Sequence, residues 1–175
     1  MPVPPAPSNS LPARVFRYLA GLCARLLDIK DRPHAIAGGV AIGMFVGFTP
    51  LFGLKTLLCL GLAFLLGCNP IAAVIAVSLH DVVTPFWPFL LMLEYEIGTH
   101  ILGRAGETSA LLHSFHHVHL MDMMKWTTFL DVGLPLLVGS MFLSTPAAAI
   151  AYFLMIGFLK RRERRRLERE KEAAE

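Results

Sequence analysis

The chain has 175 residues, enough for one domain, and 55% of them are hydrophobic while only 17% are charged. Soluble domains carry about 25% charged residues, so this composition points to a membrane protein. The net charge of +3 sits at the ends. Arg14, Arg17, Arg25, Lys30 and Arg32 outnumber Asp28 and Asp31, and eight basic residues face five acidic ones between Lys160 and Glu175. The interval between holds only Lys55, Arg104 and Lys125 against Asp81, Glu94, Glu96, Glu107, Asp122 and Asp131. Basic residues that flank an apolar block, rather than stripe a soluble face, exclude nucleic acid as the main partner. The positive-inside rule places both termini in the cytoplasm, which requires an even number of complete crossings.

Residues 1–10, MPVPPAPSNS, are rich in Pro and Ser and read as a disordered arm. They lack a charged n-region, so no cleavable leader is expected. Residues 11–32 carry an amphipathic helix. Arg14, Arg17, Arg25 and Asp28 fall on one stripe, and Leu11, Val15, Leu19, Leu22, Leu26 and Ile29 on another. Such a helix lies in the headgroup layer of a bilayer or packs on the protein itself.

Residues 33–159 form the membrane domain, and its apolar runs are broken. Ala35 to Phe48 ends at Thr49-Pro50. As a helix it covers ~21 Å, short of a ~30 Å hydrocarbon core. Leu51 to Gly67 ends at Asn69-Pro70, Ile71 to Leu79 ends at His80-Asp81, and Thr84-Pro85 precedes Phe89 to Leu102. Breaks at membrane depth are tolerated only where the freed backbone is buried in protein or lines a cavity, so a re-entrant hairpin is expected. The 31-residue run from Phe129 to Leu159 is too long for one straight crossing. Pro135 and Pro146 are expected to divide it into one crossing near 129–144 and a shorter segment from Pro146. Residues 160–175 form a charged cytoplasmic tail, helical by its i,i+4 Arg–Glu pairs. Thr49-Pro50-Leu51-Phe52 and Thr84-Pro85-Phe86-Trp87 suggest an internal repeat of the kind found in inverted-repeat transporters.

Several residues are candidates for function. Gly39, Gly43 and Gly47 make GxxxGxxxG, a helix face without side chains that invites close backbone packing, within the chain or with a partner. Pro50 and Gly53 shape the turn that follows. Lys55 opens the next apolar run, where its charge is costly. It either meets an anionic group near a helix N-terminus or snorkels to the headgroups. His80, Asp81, Glu94 and Glu96 are the strongest chemical signal, since ionisable residues between apolar runs mark a functional site by default. Glu94 and Glu96 point ~200° apart on a helix, so only one of them faces a given pathway. Thr84 and Pro85 mark the second turn. His113, His116, His117 and His119 have helical spacing, but no further ligands complete a metal site, and an interfacial segment explains them.

Cys23, Cys59 and Cys68 include no CxxC and read as reduced packing residues. No GxSxG, Walker loop, HExxH or dinucleotide fingerprint is present, so neither an enzyme nor a cofactor is expected.

The stretch from Ala35 to Ala73 resembles the bacterial membrane family catalogued as domain of unknown function 2062, through Gly47, Pro50, Gly53, Thr56 and Asn69. Tyr95-Glu96-Ile97-Gly98 is similar to the family's later Tyr-x-x-Gly, whereas Asp81-Val82-Val83-Thr84 departs from its Asn-Pro-x-Thr element. The resemblance implies a small protein of the bacterial inner membrane. Members attached to glycosyltransferase-like domains imply work near lipid-linked sugars or polyprenyl phosphates.

The expected fold is all-α: a polytopic membrane protein of short, Pro- and Gly-broken helices with an N-terminal amphipathic helix and a basic tail. The expected function is transport or flipping of a small or lipid-linked anionic substrate, with Lys55 on the anion and Asp81 and Glu94 or Glu96 handling protons. The alternative is a non-catalytic membrane scaffold or assembly subunit. The bilayer is the expected partner, with an anionic lipid or lipid-linked substrate and a second copy of the chain as further candidates.

Overall fold

The computed structural model describes residues 11–51, 53–82, 87–104 and 129–173. The N-terminal arm, the Thr84-Pro85 turn with the second half of the suggested repeat, and the histidine cluster lie outside the described residues. Within them the chain is helical: α1 (Leu11–Leu27), α2 (Pro33–Phe48), α3 (Lys55–Leu65), α4 (Pro70–Val82), α5 (Trp87–Ile101), a π-helical turn (Phe129–Gly133) and α6 (Leu134–Glu172).

Each apolar run of the sequence becomes a helix, and the prolines act as starts. Pro33, Pro70, Pro88 and Pro135 occupy the first or second position of their helices, where a missing N–H leaves no intrahelical bond unmade. Gly67, at φ +64°, closes α3 in a left-handed turn, and the Cys68 N–H returns 2.8 Å to the Ala63 carbonyl. Asn69 then caps α4, its Oδ1 accepting from the Ala72 N–H at 2.9 Å.

The glycine face of α2 finds its partner inside the chain. A Cβ at Gly39 would collide with the Asn69 carbonyl, one at Gly43 with the Ala73 carbonyl, and one at Gly47 would lie 2.6 Å from His80 Cγ. These contacts advance in the same direction along both helices, so α2 and α4 run parallel and α3 returns between them. Ile42, Val46, Cys59, Ala63, Ala73 and Val77 bury the space the three helices share.

α5 and α6 pair by the same device. A Cβ at Gly98 would strike the Pro135 carbonyl, and one at Gly139 the Glu94 carbonyl. Here the order reverses, so α5 and α6 are antiparallel. α6 continues alongside α2, where the Tyr152 hydroxyl meets His34 Nδ1 at 2.8 Å. From His34 to Gly47, and from Tyr152 back to Gly139, each helix rises ~20 Å. The Gly139–Glu94 crossing is therefore level with the ends of α2 and α4.

α1 docks its second half on this frame. Leu22 and Leu26 are buried with Ile36 of α2 and Ala72 and Ile75 of α4, with Met155 and Leu159 of α6 packed against them. Arg162 donates to the Leu27 carbonyl at 2.8 Å, a cation on the carbonyl end of α1, where the helix dipole favours it. Val15 and Tyr18 in the first half stay exposed.

The expected division of the last apolar run at Pro146 does not occur. α6 is one helix of 39 residues with Pro146 inside it. The turn before Pro146 is held by hydroxyls, Thr145 Oγ1 donating to the Met141 carbonyl at 2.7 Å and Ser144 Oγ to the same carbonyl at 3.2 Å. Pro146 lacks the N–H that would reach the Phe142 carbonyl, a loss that a membrane helix tolerates by local adjustment. Pro135 does mark a boundary, since it separates the π-helical turn from α6.

Taken with the end of the π-helical turn, Leu130–Glu172 is the one helix among the described residues long and apolar enough to cross a membrane, and its apolar window is only 11% buried. A core helix of a soluble protein would be covered. Here Met141, Phe142, Ile150, Phe153, Leu154 and Phe158 stand exposed.

Candidate functional site

The sequence reading singled out Lys55, His80, Asp81, Glu94 and Glu96. The fold brings the first three together, buries Glu94 at the α5–α6 crossing, and turns Glu96 outward.

Lys55 is the first residue of α3 and is 9% exposed. A cation at a helix N-terminus meets the positive pole of that helix, so α3 alone would expel it. Two other helix ends hold it. Its Nζ donates to the carbonyl of Gly47 in the last turn of α2 at 2.8 Å and to Oδ1 of Asp81 in the last turn of α4 at 3.1 Å. Both are C-terminal turns, whose carbonyl poles favour a cation. The parallel α2–α4 pair that the glycines create is what sets these two poles side by side. Gly53, at φ +79°, lets the chain reverse between α2 and α3 so that Lys55 faces back to them. Asp81, in the last turn of α4, is an anion that Lys55 meets at the N-terminus of α3.

The two partners differ in exposure. The Lys55 side chain is 11% exposed and that of Asp81 50%, so the ammonium is enclosed and the carboxylate is its lid. His80 lies on Gly47, its ring 4.7 Å from that of Phe48 at 57°. His80 Nδ1 is 3.9 Å from Asp81 Oδ1, too far for a hydrogen bond. Only a glycine at 47 leaves room for that ring.

Glu94 is fully buried at the α5–α6 crossing, and neither carboxyl oxygen has a hydrogen-bond partner. Its crossing lies level with the helix ends that hold Lys55. Glu96, two positions on, is exposed, as the ~200° between them on a helix requires. Tyr95 is buried between Leu91 and Leu136. Of the turn and packing residues, Gly39, Gly43 and Gly47 do the packing expected of them, while Thr84 and Pro85 lie outside the described residues. Among the described residues no group of His, Cys, Asp or Glu is arranged to hold a metal ion.

Sequence reasoning missed Gly139, gave Gly98 no structural part, and gave Asn69 only the end of an apolar run. Asn69 Nδ2 donates to Asp31 at 2.8 Å and its N–H to the Ala35 carbonyl at 2.9 Å, which ties the α3–α4 turn to the start of α2. Gly139 stands alone in an apolar helix; such isolated glycines at close helix crossings were the available signal.

An all-helical bundle with one exposed apolar helix and an ion pair enclosed at three helix ends defines the class. The chain belongs to the bacterial family described as an uncharacterized protein conserved in bacteria, domain of unknown function 2062, whose sequence profile matches residues 16–168. No curated protein and no solved structure matches it.

Proposed function

We propose that the protein is a polytopic inner-membrane protein that moves a small or lipid-linked anionic substrate across the bilayer, with Lys55 as the anion contact. The observation that carries this reading is the Lys55–Asp81 pair, an enclosed ammonium covered by a half-exposed carboxylate. Asp81 is then a tethered stand-in for the phosphate or carboxylate of a substrate, and substrate binds by displacing it. Buried ionisable residues in membrane helices mark substrate and ion pathways.

In this reading α6 makes one crossing, and α4 and α5 make the other in series. The 16 residues of α2 cover ~24 Å, and α2 with α3 forms a re-entrant hairpin whose tip carries the site. Leu57, Phe64, Leu65, Ile71, Phe89, Phe142 and Phe153, all exposed, face lipid. Both termini then share the cytoplasmic side, in keeping with the basic residues at each end.

The scaffold alternative drew on a free glycine face of α2. That face is covered by α4 within the chain, which leaves the alternative the amphipathic helix and the basic tail. The test is transport in reconstituted vesicles, with short-chain polyprenyl phosphate as the probe. Lys55→Met should abolish movement of the probe, and movement at the wild-type rate would sink the proposal.

A further inference from the structure

The sequence left proton handling to Glu94 or Glu96, and the fold singles out Glu94. It is a carboxyl with no exposure and no hydrogen-bond partner for either oxygen. The backbone approach at Gly139 holds it in place, because the Glu94 carbonyl lies where a Cβ of residue 139 would be.

Among the described residues the charges that face it are few. From α3 comes Lys55, already paired with Asp81 of α4; His80, beside Asp81, is not hydrogen-bonded to it. Cys59 of α3 is enclosed in the apolar core. α6 contributes no charged residue from Leu134 to Leu159, and its buried Ser140 hydroxyl is spent on the Leu137 carbonyl. Beyond the other end of α5, Arg104 and Asp131 pair with each other at 3.2 Å.

With both carboxyls ionised, this cluster would carry one cation and two anions in apolar surroundings. An isolated buried carboxylate is far costlier than a neutral carboxyl. We propose that Glu94 is a proton-binding site, and that its proton decides which carboxylate Lys55 holds. With the proton on Glu94, Lys55 pairs with Asp81 and the cluster is neutral. When the O–H bond breaks and the proton leaves, Glu94 becomes a second carboxylate competing for the same ammonium, and Asp81 is released. This deepens the transport reading, because release of Asp81 is the step that opens Lys55 to a substrate anion.

The experiment is infrared spectroscopy of the full chain in lipid at neutral pH, reading the carbonyl stretch of protonated carboxylic acids. The wild-type spectrum minus that of Glu94→Gln should show one such band. Asp81→Asn removes the competing carboxylate, so Lys55 draws on Glu94 and the band should disappear although Glu94 is intact. Adding Lys55→Met to Asp81→Asn should restore it. A wild-type spectrum without the band overturns the proton site. A band unchanged by Asp81→Asn overturns the exchange of partners. If Glu94→Gln fails to fold, the comparison of Asp81→Asn with the double variant carries the test alone. No substrate is involved, so these results stand apart from the vesicle assay: a band that behaves as expected beside unimpaired Lys55→Met transport sinks the transport reading only.

Discussion

Asn69 and Asp31 are 38 positions apart in the chain, and the amide of one donates 2.8 Å to the carboxylate of the other. This bond joins the α3–α4 turn to the loop before α2, at the end of the bundle opposite Lys55. It lies outside the apolar helices and can be probed by pH. The Asn69 amide, and after it the Arg32 N–H, hold the Asp31 carboxyl below its ordinary value of 3.8. A lowered folded-state pKa means that the carboxylate's stabilisation is fully present above about 3.8 and fades as pH falls through the lower folded value. The melting temperature of Asp31→Asn should fall below that of wild type at neutral pH, and the difference should vanish in acid. Asp31 is exposed, so the effect is small. A difference that grows as pH falls would contradict this account.

Lys55 and Asp81 should respond unequally to loss of their partner. Asp81→Asn takes the carboxylate from an enclosed ammonium, which must then draw on Glu94, whereas Lys55→Met leaves a carboxylate that is half exposed. Breaking a buried pair costs about 3–5 kcal/mol, and the exposure of Asp81 reduces this to about 1–3 kcal/mol for Asp81→Asn. Lys55→Met should cost about 1 kcal/mol or less, since an apolar side chain of similar length fills the same space. Unfolding in detergent, followed by tryptophan fluorescence, orders the two variants.

The glycines divide into two groups with opposite expected responses. Gly43→Ala and Gly139→Ala put a Cβ into the carbonyls of Ala73 and Glu94, and forcing the helices apart should cost about 1–3 kcal/mol or more. Gly61 and Gly157 have nothing within 4 Å of a Cβ. Alanine there should stabilise α3 and α6 by about 0.5–1 kcal/mol. Thermal midpoints of the four variants should fall into these two groups.

The proposed topology is open to thiol chemistry. Cys23 is exposed and Cys59 is buried. With the native cysteines replaced by Ser, an impermeant maleimide should modify a cysteine restored at 23 and one placed by Arg161→Cys from the same face of the membrane. Cysteine at 59 should remain unmodified until the protein is unfolded. Modification of positions 23 and 161 from opposite faces would require an odd number of crossings and would end the proposed arrangement.

The helices were legible because apolar run length and proline position act locally. α2, α3, α4 and α5 lie where the runs fall. Pro146 misled because a proline that a long apolar helix tolerates looks, in a sequence, like one that ends it. The glycine repeat announced a close helix contact but carried no information about the facing backbone, so α4 emerged only in three dimensions. Glu94 and Glu96 were separable by helical geometry alone, although which of them is buried depends on α6. The Lys55–Asp81 pair was beyond reach, because it needs the parallel register of α2 and α4 that Gly39, Gly43 and Gly47 set.

The absence of a joint in α6 has a mechanical side. At ~1.5 Å per residue its 39 residues form a rod ~58 Å long. It is pinned at Gly139 against α5, at Tyr152 against His34 and at Arg162 against the end of α1. Beyond Arg162 it is an unsupported lever of charged residues. A small tilt at the Glu94 crossing swings that lever through a wider arc, so an event at the crossing reaches the surface as a displacement of a densely charged segment.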